Sequence, residues 1–297
     1  MNDLAVSSLS RVRSAIKSMY QMRRNRIYQF KPKVEIQIEL GPFIIKTATQ
    51  VSELKEALTL RYQVFYREMI GLQKPLGIDV DEFDALCDHL VILEKRTSRV
   101  VGTYRMNCSR FSHQFYSARE FNLKRIMDQP DAKIELGRAC IHKDFRKGFV
   151  ISLLWRGIAE YMAASDGKIL FGCASVKTQN PREAALLHRY FFEEHRLSPE
   201  FFCPPTFPFT MPHLDLWMQN FKSPLTADQR KDAETLVPPL FRAYLKIGAF
   251  VGGEPAWDSE FKCIDFLTIL RREDLNKVLW KKYKLSSEPD GASSFSS

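Results

Sequence analysis

The run from Ile134 to Met162, IELGRACIHKDFRKGFVISLLWRGIAEYM, constrains the chain more than any other stretch, because it changes from strand to helix across a basic turn. The strand carries Glu135 and Arg138, and the turn spans Asp144 to Gly148. Beyond the turn, Ile151, Leu154, Trp155, Ile158 and Met162 fall at i, i+3, i+4, i+7 and i+11, the spacing of one buried helical face. First-turn N–H groups of a helix are unpaired and its dipole is positive there, so an anion is favoured against Arg146, Lys147 and Gly148. Glu135 and Arg138 lie three apart, which in a regular strand puts them on opposite faces. Gly137 between them predicts a β-bulge that turns both toward one cleft and frees backbone N–H groups to act as an oxyanion hole. A surface Glu and a structural ion pair is the competing reading.

The 297 residues, 45% of them hydrophobic, are enough for a substantial core. No apolar run reaches the ~20 residues of a bilayer span, and the N-terminus lacks the apolar core of a secretory signal, so a cytoplasmic protein is expected. Six cysteines are scattered without a CxxC pair, which predicts buried, reduced thiols and neither a zinc site nor a disulfide framework. The charge of +9 is concentrated in residues 1–33, where eight Lys/Arg face Asp3 alone. There Leu9, Val12, Ile16, Met19 and Tyr20 form an apolar stripe flanked by cations, as in a helix lying on an anionic membrane. A solvated terminus or a docking helix fits the same pattern. No basic stripe with interleaved aromatics continues into the body, so nucleic acid is not an expected partner.

Val34 to Leu40 alternates as a half-buried strand ended by Gly41-Pro42. A helix opens at Ser52, and its apolar face of Leu54, Leu58, Phe65 and Met69 also holds Arg61, which calls for a buried acidic partner or ligand unless its head escapes to solvent. Gly71 to Asp88 is an acidic loop whose carboxylates are expected in solvent. His89–Glu94 and Arg99–Cys108 read as a hairpin with Arg105 on its second strand. Helices are expected over Tyr116–Met127 and Pro181–His195, and a buried strand over Ile169–Val176. Phe201–Phe209 (FFCPPTFPF) is apolar enough to line a greasy cleft or pack in the core. A helix broken at Pro238-Pro239 fills Thr226–Ile247, then a last strand Phe261–Leu270 and a last helix Arg272–Tyr283. The order is that of an α/β protein: a basic amphipathic segment at 1–33, one domain at 34–284 and a polar, disordered tail at 285–297.

Several of these stretches carry a resemblance. LRYQVFYREM (Leu60–Met69), DEFDALCDHLVIL (Asp81–Leu93), VGTYRM (Val101–Met106), FGCASV (Phe171–Val176) and PPLFRAYLKIGAFVGGEPAWDSEFKCIDF (Pro238–Phe266) resemble the ornithine N-alpha-acyltransferase family, also called hemolysin-like, of the GNAT superfamily. Arg61, Phe65, Asp81, Asp84, Arg105, Glu135 and Arg138 also match, in order and spacing, motif residues of the acyl-homoserine lactone (autoinducer) synthases. The resemblance implies a GNAT fold, a mixed central sheet flanked by helices. It implies a bacterial enzyme that moves a long-chain, 3-hydroxy fatty acyl group from acyl carrier protein to the α-amino group of an amino acid, ornithine above others.

Two departures bear on that expectation. Gly71 and Leu72 stand where the autoinducer synthases carry Trp, which speaks against a lactone product. The glycine loop that holds coenzyme A is incomplete, with Phe145 and Val150 at its flanking positions. A loop keeping Arg146, Lys147 and Gly148 suits the single phosphodiester of a carrier protein's 4'-phosphopantetheine arm, and no other cofactor and no metal is expected. Glu135 is then the expected base, with Arg138 and Arg105 in the catalytic set, and Arg61, Phe65, Asp81 and Asp84 around the amino-acid substrate. Asp81 and Asp84 would either hold the arginines or receive the side-chain ammonium of ornithine. The acyl chain would lie against Phe and Leu side chains, with those of Phe201–Phe209 as candidates. A lipid product and the basic segment together imply peripheral association with the inner membrane. The alternatives are an acyl-CoA-dependent GNAT acetyltransferase of a small amine and a non-catalytic acyl-carrier or lipid-binding protein of the same fold.

Overall fold

The computed structural model describes residues 25, 27–73, 77–146, 149–221 and 224–275. Its strands are β1 (Gln37–Leu40), β2 (Phe43–Thr47), β3 (Asp88–Glu94), β4 (Arg99–Cys108), β5 (Ala132–Ile141), β6 (Gly167–Val176), β7 (Phe250–Val251), β8 (Ala256–Asp258) and β9 (Cys263–Arg271). They form one mixed sheet in the order β1-β2-β3-β4-β5-β6-β9-β7, with β8 paired to β9. Every pairing is antiparallel except β5 with β6. A parallel pair needs a crossover, and α2 (Phe149–Ser165) supplies it.

Alternation along the strands divides the core between the two faces. Leu90 and Ile92 point toward α2 and join Ile45, Tyr104, Leu154 and Ile158. Val91 and Leu93 point the other way and pack with Leu54, Ala57 and Leu58 of α1 (Val51–Tyr62). Within α2 the expected stripe holds, with Leu154, Trp155, Ile158 and Met162 buried and Ile151 partly so. A second apolar cluster joins the sheet to α3 (Pro181–Glu193), α4 (Ala227–Leu236) and α5 (Pro239–Lys246) through Leu187, Phe191, Phe241 and Phe266. Local chemistry starts these helices: Asn180 caps α3 ahead of Pro181, Thr226 and Gln229 form a capping box on α4, and Pro239 opens α5.

Five expectations are corrected. The first strand starts at Gln37, and it is followed by β2, whose alternation FIIKT is too short to stand out from the turn before it. The helix from Val51 is α-helical only to Tyr62, and Gln63–Ile70 continues it with π-type spacing to Gly71 at φ 75°. Tyr116–Met127 is two short turns, Tyr116–Arg119 and Lys124–Met127, because Phe121 and Asn122 bond Pro205 and Pro204 between them. Asp79, Asp84 and Asp88 of the acidic loop are buried, not solvated. Arg272–Asp274 is a 3₁₀ turn that ends at Leu275, and residues 276–283 of that expected helix lie outside the described residues, as does the tail at 285–297.

Of the basic N-terminal segment, residues 1–24 lie outside the described part, whereas Ile27 and Phe30 are buried against α1 and Lys33 N–H donates to Asp88. Among the described residues no helix is long and apolar enough to cross a membrane. All six cysteines are unpaired, and all but Cys173 are buried.

Candidate active site

The site begins where two strands part. β5 and β6 pair only from Ala132/Gly167 to Glu135/Phe171, although each runs on for five residues or more. At the fork a Cβ on Gly172 would meet the Leu136 carbonyl oxygen at 2.1 Å, so only glycine lets the strands approach before diverging. The gap opens into a cavity lined by Leu136–Ala139 of β5 and Gly172–Ser175 of β6. One end is polar, with Arg105, Glu135, Arg138, Asp258 and Asp265. The other is apolar, with Trp155 of α2, Leu240, Phe241 and Tyr244 of α5, Leu170 and Ile247. Tyr104 and Tyr244 share a hydroxyl hydrogen bond within it. The π-helical turn adds Val64, Phe65 and Met69.

The bulge exists, and the residue that turns left-handed in it is Arg138. Thr103 pairs with Cys140 and Arg105 with Gly137, so Tyr104 alone faces Arg138 and Ala139. Arg138 itself takes φ 53°, a strained conformation for a non-glycine residue, and Glu135 and Arg138 both line the cavity. Glu135 is buried, and its two oxygens accept the backbone N–H groups of Tyr116 (2.9 Å) and Ser117 (2.7 Å). Burial pushes its carboxyl above the ordinary glutamate value, with those N–H groups and Arg105 pulling partly back.

Three arginines and three aspartates form a closed ionic lattice behind this end. Arg61 donates to Asp79 (2.8 Å) and to both oxygens of Asp84 (2.6 and 3.3 Å). Arg105 holds both oxygens of Asp81 (2.6 and 2.7 Å) and reaches Asp84 at 3.1 Å. Arg138 donates to Asp81 at 3.1 Å and lies 3.4 Å from Asp79. Burial alone would raise Asp79 and Asp81, but the arginine fields outweigh it and hold both below the usual carboxylate range. The buried partner that the sequence called for at Arg61 is thus Asp79 with Asp84. Arg61 is 1% exposed and does not line the cavity. Arg138 retains the most side-chain exposure of the three, 13%, and its guanidinium lies 4.7 Å from the Tyr116 ring centroid and 5.4 Å from that of Phe261.

Asp81 and Asp84 therefore spend their charge on arginine. Arg146 pairs with Glu68 of the π-helical turn, while Lys147 and Gly148 lie outside the described residues. Phe201–Phe209 contributes nothing to the cavity: Phe201 and Cys203 pack in a separate cluster and Phe207 stands in solvent. Its apolarity signalled core, not cleft. Sequence reasoning also missed Glu120, Asp258 and Asp265, three buried carboxylates beside Cys173 and Cys263. Their burial, then their mutual repulsion, raises Glu120 well above the usual range and Asp265 to about 6. Burial and the same acids also raise the Cys173 thiol, which argues against a catalytic thiolate.

Residues 60–156 match the family model described as an acetyltransferase (GNAT) domain. Over 239 residues the chain is 30% identical to the L-ornithine N(alpha)-acyltransferase of Rhizobium meliloti (strain 1021), covering 76% of this chain and 78% of that protein. It is 30% identical over 247 residues to the protein of the same name from Rhodobacter capsulatus, covering 78% and 91%. A solved structure of a CoA-dependent acyl-homoserine lactone synthase with SAM and isopentyl-CoA is similar at 15% identity and a TM-score of 0.43, over 79% of this chain and 82% of that one.

Proposed function

The chain belongs to the L-ornithine N(alpha)-acyltransferase family of the GNAT superfamily, and from that premise we propose that it moves a long-chain, 3-hydroxy fatty acyl group from acyl carrier protein to the α-amino group of ornithine. The observation that carries this reading is the cavity through the parted strands, with a buried carboxylate at the fork, ionic groups at one end and an apolar channel at the other. The thioester belongs at the fork, with the acyl chain toward Trp155, Phe241 and Ile247.

An amine attacks a thioester only when neutral. Glu135 takes the ammonium proton, directly or through one water, and its raised pKa suits it to a base working near neutrality. The amine nitrogen bonds to the carbonyl carbon, and the oxyanion that forms is held by backbone N–H groups around Gly137–Cys140, where the bulge leaves Arg138 and Ala139 without ladder partners. Collapse breaks the carbon–sulfur bond, and the leaving thiolate takes up a proton as the amide forms. We assign the substrate carboxylate to Arg138, with Phe65 beside it and Asp79 and Asp81 holding its guanidinium, while Arg61, Arg105 and Asp84 complete the lattice behind.

A 4'-phosphopantetheine arm enters past Arg146, Lys147 and Gly148, and an acidic carrier protein suits the basic turn. The product is a single-chain lipoamino acid. Its affinity for the bilayer gives residues 1–33 a reason to rest on the anionic inner-membrane surface.

The test is direct. Purified protein is incubated with a long-chain 3-hydroxyacyl carrier protein and a pool of amino acids, and the lipid fraction is identified by mass. N-acylornithine is the expected product. Product from acetyl-CoA but not from the carrier protein would transfer the reading to a small-amine acetyltransferase, and no N-acyl product from either donor would leave a binding protein.

A further inference from the structure

The polar end of the cavity and its surroundings hold more carboxyl groups than arginines. Asp79, Asp81 and Asp84 are matched by Arg61, Arg105 and Arg138. Asp258 and Asp265 line the same cavity, 4% and 3% exposed, and have no ion pair among the described residues. Their hydrogen bonds come from uncharged donors. Asp265 accepts the Ser175 hydroxyl at 2.5 Å and the Cys263 thiol at 3.7 Å, and Asp258 accepts the N–H groups of Glu260 and Phe261 at 2.8 and 2.9 Å. Glu120 stands behind them, 3.5 Å from Cys173 and again without an ion pair among the described residues. Arg138 is a cation whose field reaches Asp265, and it is already held by Asp79 and Asp81. A buried carboxylate without a cation is costly, and a protein keeps one where a ligand supplies the charge.

The place of these acids along β6 matters as much as their charge. Phe171 stands opposite Glu135, Cys173 is two residues on, and Ser175, paired with Asp265, is two further. Each step of two residues advances about 6.6 Å on the same strand face. Ser117 ties the base to the acids, since its N–H donates to Glu135 and its hydroxyl oxygen lies 3.4 Å from the Cys173 sulfur, which in turn lies 3.5 Å from Glu120. Glu135, Cys173 and Asp265 thus follow one another along the same wall of the cavity.

We infer that Asp265, seconded by Asp258 and backed by Glu120, binds the side-chain ammonium of the amino-acid substrate and makes the enzyme selective for a second amino group. The inference rests on the acyl-transfer reading for the place of the α-amine. The acids take the role expected of Asp81 and Asp84, whose charge the arginines consume. A bound ammonium would favour the ionised form of Glu120 and Asp265, which burial otherwise opposes.

The test compares ornithine with norleucine, which has the same heavy-atom skeleton and a methyl in place of the ammonium. In the wild-type protein kcat/KM for ornithine should exceed that for norleucine by at least ~100-fold, since a site built to bond a polar group rejects the analogue lacking it. In Asp265→Asn the ratio should fall at least tenfold, mostly through KM for ornithine, and Asp265→Glu should recover part of it. Because the ratio is taken within one variant, it does not depend on how much protein folds. Calorimetric binding of ornithine and norleucine, which needs no turnover, separates the two readings. Selective binding of ornithine, lost in Asp265→Asn, upholds the subsite even if no acyl transfer is found. Acyl transfer with an unchanged ratio in both Asp265→Asn and Asp258→Asn overturns the subsite and leaves the enzyme reading intact. A stoichiometric divalent metal in the purified protein, lost in Asp265→Asn, would also overturn it, because the ligand atoms of Asp258, Cys263 and Asp265 lie within 4.8 Å of one another.

Discussion

Glu135 gives both carboxylate oxygens to backbone N–H groups, of Tyr116 and Ser117, yet burial keeps its pKa raised. Glu135→Gln puts an amide NH₂ against one of those N–H groups, which should cost about 1–3 kcal/mol of stability. It should also lower acyl transfer by roughly 10²–10⁴-fold in kcat. Activity within a few-fold of wild type in folded protein would remove Glu135 as the base. The pH dependence has two opposite signs. Acyl transfer should fall as pH drops through the raised Glu135 pKa, because the base must be ionised. This group's contribution to stability should fall as pH rises from the unfolded glutamate pKa to the folded one, because over that window the folded state binds more protons. Parallel pH profiles of kcat/KM and of unfolding by denaturant separate the two. Arg61→Met leaves Asp79 and Asp84 to Arg138 and Arg105, two cations for three aspartates, and should cost about 3–5 kcal/mol, with part returned by adding Asp84→Asn. Arg61 was legible in the sequence because a cation on an apolar helical stripe demands a partner. Asp258 and Asp265 were not, because isolated acids in a late strand look like any surface pair until β6 brings Ser175 and Cys173 beside them.

At the scale of elements, periodicity revealed what is regular and missed what is locally strained. The stripe of α2, the β3–β4 hairpin and the break before α5 follow from spacing and proline alone. The widened π-type turn at Gln63–Ile70 carries residues that an α-helical spacing also places on one face, so Phe65 and Met69 gave no signal of it. The bulge was legible from Gly137, yet the strain fell on Arg138 because ladder pairing, not local propensity, chose the residue. Gly172 permits the close approach at the fork. Gly172→Ala would drive a Cβ into the Leu136 carbonyl and should cost about 1–3 kcal/mol as the strands shift. Its transfer activity should fall further than its melting temperature implies, because the fork fixes where thioester and base meet. Differential scanning calorimetry beside single-turnover transfer would show it, and equal losses in both would reduce the glycine to a packing role.

Over the whole molecule, the cavity crosses the sheet, so the ionic end and the apolar end face different surroundings. Sheet order produced this, and no local pattern announces a sheet order. The N-terminal segment divides differently from its charge pattern: Ile27, Phe30 and Lys33 are fastened to the body, so a membrane test should remove residues 1–24 only. That truncation should lose affinity for anionic vesicles, most visibly at low salt. Co-sedimentation with vesicles of neutral and anionic lipid measures this, and unchanged binding to the anionic set would dismiss the anchor.

The lattice of three arginines and three aspartates has one more consequence, which concerns how such an enzyme changes over generations. Every member neutralises at least one other, so a single substitution strands a buried charge and a viable alternative is reached only by paired replacements. The β8–β9 rim has no such interdependence, because Asp258 and Asp265 carry no ion pair among the described residues. New substrate preferences are therefore open to single-step variation at that rim, while the machinery behind Arg138 stays frozen.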